Sequence, residues 1–318
     1  MSQTLNIAVI MDPISAIKIA KDSTFAMLLE AQRRGHRLWY AERGDLSLKE
    51  GRAHAHLRAV AVQDNPEHWY DFGESGDQPL ASMQVVLMRK DPPFDMQYIY
   101  DTYLLEQAER EGCLIVNKPQ ALRDANEKLF TAFFPDLTPP TAVSRDQSVL
   151  RSFVEDRGEA ILKPLDGMGG TSIFKTSSQD PNLNVILETL TENGQTPAMA
   201  QAFIPEISAG DKRILLIEGE PVPYALARIP TGKDFRGNLA KGGRGEGVAL
   251  SERDYQICQA VAPELIKRGM MFVGLDVIGD YLTEVNVTSP TCIRELDALY
   301  DLNIAGQLFD AIEKRVAN

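Results

Sequence analysis

The sequence is poor in the residues that mark several large classes of protein. It has three cysteines, Cys113, Cys258 and Cys292, which lie far apart and form no C-x-x-C pair. An odd number of scattered cysteines predicts reduced thiols in a cytoplasm rather than a disulfide framework. Residues 1–12 carry neither a long apolar run nor a basic segment, so we expect no signal peptide.

Long hydrophobic runs and an excess of positive charge are also lacking. No stretch approaches the ~18 consecutive apolar residues of a membrane span. The net charge of −12 argues against nucleic acid or an anionic membrane as a partner. It does not exclude an anionic small substrate, because charges beyond ~10 Å are screened. A single cation ~4 Å from a phosphate contributes ~4 kcal/mol at an effective dielectric near 20.

Histidine is scarce too, and all four histidines lie in the first quarter of the chain. His54 and His56 could share one face of a strand and bind a metal, but no third ligand is nearby. We therefore interpret them as part of a solvated helix or loop. The sequence also offers no convincing Ser/His or Cys/His set, so it does not predict a covalent enzyme nucleophile.

What the chain does contain is arranged in three blocks, and its 318 residues exceed the usual ~100–200 per domain. Residues 1–124 alternate strands and helices around the apolar run LNIAVIM, which predicts an open, mainly parallel α/β sheet. The first strand ends in M-D-P without G-x-G, so this is not a standard dinucleotide site. Residues 125–203 and 204–318 mix helices with strands, which predicts two further α+β domains.

The second block holds the segment ILKPLDGMGGTSIF, in which a Lys-Pro pair precedes three glycines within four positions. Glycine-rich loops after strands often cradle phosphates with bare backbone N–H groups. Neither the Walker loop nor the dinucleotide fingerprint matches this segment. The residues from Thr171 to Thr176 are β-branched and aromatic, so the loop is predicted to be the tip of a β-hairpin. Taken alone, it fits a plain turn equally well.

Two lysines and a set of oxygen ligands indicate where charge is handled. Lys163 sits in ILKP, where its neighbours are buried, and a buried ammonium needs an anionic partner. In MFVGLDVIGDYLTEVNV, Glu284 and Asn286 share one strand face. Asp276 joins that face if the hairpin has an odd-length turn, such as Gly279-Asp280-Tyr281, or a bulge. Three oxygens would then suit Mg²⁺; the alternative is a solvent-facing polar edge.

The third block also contains IPTGKDFRGNLAKGGRGEG, residues 229–247, with six glycines together with lysines and arginines. We expect a long loop here, because the segment is too polar to pack and too long for an ordinary connection. The spacing of Arg228, Arg236 and Arg244 favours a mobile lid that closes on anions.

In this order, the motifs resemble the ATP-grasp ligases and, more closely, the bacterial glutathione synthetases. The resemblance rests on NEKLF, LKPLDGMGG, DKR, RGNLAKGGRGE and GLDVIGDYLTEVNVTSPTCIRE, with MDP and MRKDPPFD nearer the N-terminus. It covers nearly the whole chain and implies an ATP-grasp fold: an N-terminal domain (1–124), a central subdomain with the glycine loop (125–203), and a C-terminal subdomain with the lid and metal site (204–318).

The resemblance also implies roles for individual residues. ATP would be bound by Lys128, Lys163, the glycine loop Gly167, Met168, Gly169 and Gly170, the linker Gln201, Ala202, Phe203 and Ile204, and Asp211 at the ribose. Two Mg²⁺ ions, or Mn²⁺ in their place, would be held by Asp276, Glu284 and Asn286. The catalytic group would comprise Arg213, Arg228, Arg236, Asn238 and Arg244, which meet substrate carboxylates and transition-state charge.

The activity that the resemblance implies is ATP-dependent joining of γ-glutamylcysteine to glycine through an acyl phosphate. The family would also imply a cytoplasmic homotetramer with small-molecule substrates only. Two alternatives stay open at this point: another ATP-grasp carboxylate–amine ligase, and a non-catalytic ATP-binding module. The metal set and the arginine-bearing lid favour an enzyme, because binding alone does not require them.

Overall fold

The computed structural model describes residues 4–167, 169–231, 236–237 and 242–317. Within these residues the strands form three sheets, and each sheet lies inside one of the three expected blocks. The division of the chain into domains at those boundaries stays a prediction. No helix of the described part is long and apolar enough to cross a membrane.

The first sheet has seven strands in the order β3-β4-β2-β1-β6-β7, with β5 paired to β4. Its strands are β1 Asn6–Ile10, β2 Arg37–Ala41, β3 Leu46–Lys49, β4 Arg52–Val62, β5 Tyr70–Pro79, β6 Val85–Met88 and β7 Leu114–Val116. The helices beside it are α1 Ser23–Arg33, α2 Met96–Arg110 and α3 Pro119–Asp124. Strands β2, β1, β6 and β7 are parallel, as the apolar pattern of LNIAVIM predicts.

Strands β3, β4 and β5 form an antiparallel addition that the sequence interpretation missed. His54 and His56 lie on β4, so their assignment to a helix or loop was wrong. The buried residues Ala53, Ala55 and Leu57 alternate with these histidines, which is the period of a half-buried strand.

The second sheet has four strands in the order β10-β9-β11-β8. Its elements are β8 Thr141–Ser144, α4 Gln147–Arg157, β9 Glu159–Pro164, β10 Phe174–Ser177, α5 Leu183–Leu190 and β11 Ala198–Ala202. Strands β9 and β10 pair antiparallel, which confirms the hairpin. The second strand begins at Phe174 rather than at Thr171, so the glycine loop is longer than expected. Lys128 directly precedes a 3-10 helix, Leu129–Phe133.

The third sheet has five antiparallel strands in the order β14-β13-β12-β15-β16. Its elements are β12 Asp211–Ile217, β13 Glu220–Ile229, β14 Arg244–Ala249, α6 Glu252–Arg268, β15 Phe272–Ile278, β16 Tyr281–Asn286, α7 Ile293–Tyr300 and α8 Ile304–Val316. Strand β14 corrects the prediction of one loop through residue 247, because it pairs with β13 as an edge strand.

The turn between β15 and β16 decides which side chains share a face. The three-residue loop was wrong: Ile278 pairs with Tyr281, which leaves a two-residue turn. A bulge then shifts the register beyond Val277, so that Asp276 stands opposite Glu284. The hydroxyl of Thr283, the extra residue, donates to the Asp276 carbonyl oxygen at 3.0 Å. The bulge therefore achieves the pairing that an odd-length turn would have given.

Candidate active site

A cavity of about 420 Å³ opens where the three sheets meet. Asp12 and Arg89 reach it from the first sheet, Lys163 from the second, and Arg213 and Asp276 from the third. Most of the predicted site residues line it: Lys163, Gly167, Gly169, Gly170, Gln201, Ala202, Phe203, Ile204, Asp211, Arg213, Arg228, Arg236, Asp276, Glu284 and Asn286. Met168 and Asn238 lie outside the described residues.

The three expected metal ligands occupy one end of this cavity, at β15 and β16, which we call the metal-strand end. Asp276 is paired with Glu284, and Asn286 is paired with Gly274, across β15 and β16. The Asn286 amide nitrogen donates to the Gly274 carbonyl oxygen at 3.3 Å, which leaves the amide oxygen as the atom able to face a ligand. No cluster of three His, Cys, Asp or Glu side chains arranged for a metal occurs among the described residues. The set here has two carboxylates and an amide, a donor chemistry that fits Mg²⁺.

Asp276 is engaged by two buried arginines. Its Oδ1 accepts from Arg213 Nε at 2.5 Å, and its Oδ2 lies 3.0 Å from Arg213 Nη2 and 2.8 Å from Arg228 Nη2. Burial raises the pKa of the Asp276 carboxyl, but the charges of Arg213 and Arg228 outweigh it and hold that pKa well below its usual value. Asp276 is therefore ionised, and a cation that binds it must share its oxygens with the two guanidinium groups.

Asp211 is a second buried carboxylate in contact with the same arginine. Its Oδ2 accepts from Arg228 Nη2 at 2.5 Å, whereas its Oδ1 is buried and has no hydrogen-bond partner among the described residues. Burial raises its pKa to about 7 despite the nearby Arg228 charge. A buried acceptor without a donor is costly, so Oδ1 is suited to accept from a ligand hydroxyl.

Two buried lysines converge on Glu284. Its Oε1 lies 3.7 Å from Lys128 Nζ and 4.0 Å from Lys163 Nζ. Burial lowers the pKa of Lys163; it acts on Lys128 in the same direction, but the charges of Glu284 and Glu127 outweigh it and raise the Lys128 pKa. Lys128 and Lys163 can therefore bind an anion beside the glycine loop.

The glycine loop joins β9 to β10 beside these lysines. A Cβ added to Gly167 would lie 2.4 Å from Pro164 Cγ, and Gly169 and Gly170 have φ of +61° and +75°. Side chains are therefore strained at these positions, and the backbone can approach a ligand closely. Arg236 Nη1 donates to the Gly170 carbonyl oxygen at 2.7 Å. The expected catalytic residue Arg244 is not brought to the cavity, because its side chain is 66% exposed and pairs with Glu246 at 2.5 Å.

Comparison with known proteins places this geometry in a family. The N-terminal domain model of the prokaryotic glutathione synthetases matches residues 5–123, and the ATP-grasp domain model of the same family matches residues 127–301. The chain belongs to the prokaryotic glutathione synthetase family. The glutathione synthetase of Xanthomonas axonopodis pv. citri is 62% identical over 99% of both chains. That of Shewanella oneidensis is 60% identical over 98% of this chain and 99% of its own.

Solved structures show the same fold at much lower identity. The D-cycloserine synthetase DcsG superposes with a TM-score of 0.67 at 12% identity, covering 98% of this chain and 99% of its own. The ATP-grasp ligase PsnB with a minimal precursor gives a TM-score of 0.64 at 18% identity, covering 98% of this chain and 99% of its own. The family and the ATP-grasp fold predicted from the sequence are thereby confirmed.

The sequence interpretation missed several charged residues of the cavity, among them Arg89 and Glu127. Arg89 is 6% exposed; its Nε donates to Thr24 Oγ1 at 3.1 Å and its Nη2 to the Pro290 carbonyl oxygen at 2.8 Å. Among the described residues no carboxylate forms an ion pair with it. Glu127 lies beside Lys128, and burial together with the Glu284 charge raises its pKa to about 7. Both residues stand in quoted motifs, MRKDPPFD and NEKLF, whose charged positions were the available signal.

Proposed function

We propose that this protein joins γ-glutamylcysteine to glycine with hydrolysis of ATP, forming glutathione, ADP and phosphate. Its class, an ATP-dependent ligase that uses a divalent metal, follows from its family. The observation that carries the proposal is the metal-strand end of the cavity, where oxygen ligands stand beside two buried lysines and two buried arginines. These positive groups would reduce the repulsion between a carboxylate and the phosphate that it attacks.

ATP would lie between the second and third sheets. Lys128, Lys163 and the amides of the glycine loop are placed for the phosphates. Residues 201–204 connect towards the third sheet and would contact the adenine, and Asp211 has one carboxylate oxygen available for a ribose hydroxyl. Two Mg²⁺ ions, with Mn²⁺ as a substitute, would be held by Asp276, Glu284 and Asn286, where they would offset phosphate charge.

The chemistry begins when the cysteine carboxylate of the peptide attacks the γ-phosphate of ATP and displaces ADP, which leaves an acyl phosphate. The two anions repel each other, and Arg213 and Arg228 reduce that repulsion from the wall of the cavity. The amine of glycine then attacks the carbonyl of the resulting acyl phosphate and releases phosphate. Water would hydrolyse the acyl phosphate, so the enzyme must exclude it; Arg236 contributes from the segment after β13 by contacting Gly170.

The far end of the cavity suits the other end of the peptide. Arg89 is a buried guanidinium without a carboxylate partner among the described residues, and it lines the cavity. The γ-glutamyl group carries a free α-carboxylate away from the reacting cysteine carboxylate. We assign that α-carboxylate to Arg89, because a charged hydrogen bond there would compensate the buried charge.

The overall reaction is tested by coupled ADP release with γ-glutamylcysteine and glycine, compared with free amino acids and other dipeptides. Activity only with other acceptors would indicate another carboxylate–amine ligase, and ATP binding without turnover would indicate a non-catalytic module. The route is tested by placing ¹⁸O in the cysteine carboxylate. An acyl phosphate sends one labelled oxygen to the released phosphate, whereas adenylation sends the label to AMP and would refute the route.

The family resemblance also supports a cytoplasmic homotetramer. The three cysteines are free and buried, which fits a reducing compartment. On α2, Met96, Tyr100 and Tyr103 are each more than half exposed and follow one helix face, which suits a contact between copies. Light scattering of the purified protein would measure the number of subunits.

A further inference from the structure

The segment Asn126-Glu127-Lys128, which we call the strap, contacts β16 of the third sheet and the glycine loop that joins β9 to β10. On one side, the backbone N–H of Val285 in β16 donates to the Glu127 carbonyl oxygen at 2.8 Å. On the other side, Asn126 Nδ2 donates to the Leu165 carbonyl oxygen at 3.1 Å. Lys128 Nζ donates to the Gly167 carbonyl oxygen at 2.5 Å. The strap therefore binds the strand of the metal ligands and both ends of the L-D-G turn.

We propose that Asn126 and Glu127 are positioning residues that hold the glycine loop in fixed register with β16. The inference rests on the proposed function, because it is the ATP phosphates that would lie between the loop and the metal ligands. Among the described residues, Arg236 makes one further side-chain contact of this kind, to the Gly170 carbonyl oxygen, and the three glycines of the loop bring no side chain of their own. Its position relative to the other sheet therefore depends on donors that come from outside it.

Asn126 is fixed in a way that aims its donor. Its Oδ1 accepts from the backbone N–H groups of Lys128 and Leu129 at 3.1 and 2.9 Å. With the oxygen held by these two amides, the Nδ2 group can only point towards Leu165. The Asn126 side chain thus fixes the backbone that follows it and also holds the start of the glycine loop.

Glu127 acts through Lys128. The Lys128 ammonium is in contact with Glu127 Oε1 and with the Gly167 carbonyl oxygen, and an ammonium has three donors. The third donor remains for a phosphate. Glu284, a proposed metal ligand, lies only 3.7 Å from the same ammonium. The Glu127 carboxylate therefore keeps Lys128 on the loop and reduces its attraction to Glu284.

The substitution Asn126→Asp isolates the Leu165 contact. Aspartate keeps the oxygen that accepts from Lys128 and Leu129, but it replaces the donor to the Leu165 carbonyl with a second acceptor. We expect amide exchange in residues 165–173 to rise about tenfold, the effect of losing one hydrogen bond of ordinary strength. The KM for ATP should rise by about the same factor, while the KM values for peptide and glycine change less than about twofold.

The matched control is Asn184→Asp on α5, which adds the same charge to the same domain but lies outside the strap; its Oδ1 accepts from Arg151. It should leave exchange in the loop and the KM for ATP unchanged. Glu127→Gln, which keeps the shape and removes the charge, should raise the KM for ATP more than it lowers kcat. Glu127→Asp, which restores the charge, should recover part of that loss.

Two outcomes would overturn the inference. One is wild-type exchange in residues 165–173 of Asn126→Asp. The other is faster exchange shared equally by β1 and β6, which would mean a general loss of stability. The exchange experiment needs no substrate, so it separates this inference from the proposed function. A wild-type protein that releases no ADP with γ-glutamylcysteine and glycine would refute the function and leave the exchange result to stand.

Discussion

The two ends of the cavity hold their buried arginines in opposite ways. At the metal-strand end, burial alone would lower the pKa values of Arg213 and Arg228. The charge of Asp276 outweighs it at Arg213, and the charges of Asp211 and Asp276 outweigh it at Arg228, so both pKa values are raised. At the other end, burial lowers the pKa of Arg89 to about 10, because the charges of Asp22 and Asp91 compensate it only in part and no carboxylate of the described residues forms an ion pair with it. The first end carries carboxylates in direct contact with its arginines, whereas Arg89 at the second end has room for a carboxylate from a ligand. A peptide with a carboxylate at each end fits this difference.

The largest expected effect follows from removing Glu284, which faces two lysines and a proposed metal. Glu284→Ala should lower turnover by more than about 1000-fold, at the upper end of the cost of one stabilising group at a reacting centre. The folded state should persist, since Glu284 is a proposed metal ligand and not part of the apolar core. Coupled ADP release and a denaturant titration measure the two quantities.

The control for that loss is Glu220→Ala, which removes an exposed carboxylate from β13 in the same sheet. It should retain wild-type turnover. Substantial activity in Glu284→Ala would mean that the charged residues at the metal-strand end only stabilise the fold and that the metal binds elsewhere.

Asp276→Asn tests how strongly the stability of the protein depends on the central carboxylate of the metal-strand end. The substitution leaves Arg213 and Arg228 buried beside a neutral group, and breaking a buried ion pair on one side typically costs about 3–5 kcal/mol. We expect the free energy of unfolding to fall by that amount. A variant as stable as the wild type would show that Asp211 alone can balance both guanidinium groups.

Arg89→Lys tests the end of the cavity at Arg89 and should weaken the binding of γ-glutamylcysteine. Lysine keeps the charge but loses the guanidinium geometry, so the KM for γ-glutamylcysteine should rise about tenfold, while the KM for ATP stays unchanged. With γ-aminobutyrylcysteine, which lacks the α-carboxylate, variant and wild type should have the same KM. Arg43→Lys, a control away from the cavity that pairs with Asp95 and Asp101, should leave every KM unchanged.

Equal losses of affinity for the peptide with and without its α-carboxylate would contradict the assignment of Arg89. They would also remove the contrast between the two ends, because Arg89 would then serve only to join Thr24 to the loop at Pro290.

Local sequence signals predicted much of this arrangement. The glycines and the β-branched residues after them indicated the hairpin of β9 and β10, and the i, i+2 spacing of Glu284 and Asn286 placed both on one face. The motif order then led to the family. These features depend on neighbours close in sequence, so the chain reveals them without its fold.

Other features depend on partners far away in the chain. The bulge that brings Asp276 opposite Glu284 is a choice of register, and a two-residue turn alone would have placed them on opposite faces. The contact between Arg89 and Pro290 spans 201 residues, and that between Asn126 and Leu165 spans 39. Whether a buried charge has a partner is set by such contacts, so the difference between the two ends could not be predicted from the sequence.

The smallest expected effect extends the comparison to an ion-pair cluster outside the cavity. On α1, Glu30 accepts from Arg33 and Arg34 at 2.7 Å, and Arg33 is 66% exposed. The hydrogen bond from Arg33, aided by Arg34 and opposed by burial, lowers the pKa of Glu30 from 4.5 to about 2. A carboxyl with a depressed folded-state pKa stabilises the protein above its unfolded pKa, and this contribution is lost as pH falls through the folded value.

Glu30→Gln should therefore lower the free energy of unfolding by about 1 kcal/mol at pH 7, since a partly exposed pair is screened. The difference from wild type should shrink between pH 4.5 and about 2. Denaturant titrations at several pH values would measure it; a difference that stays constant with pH would show that Glu30 acts through packing rather than charge, unlike Asp276 in the cavity.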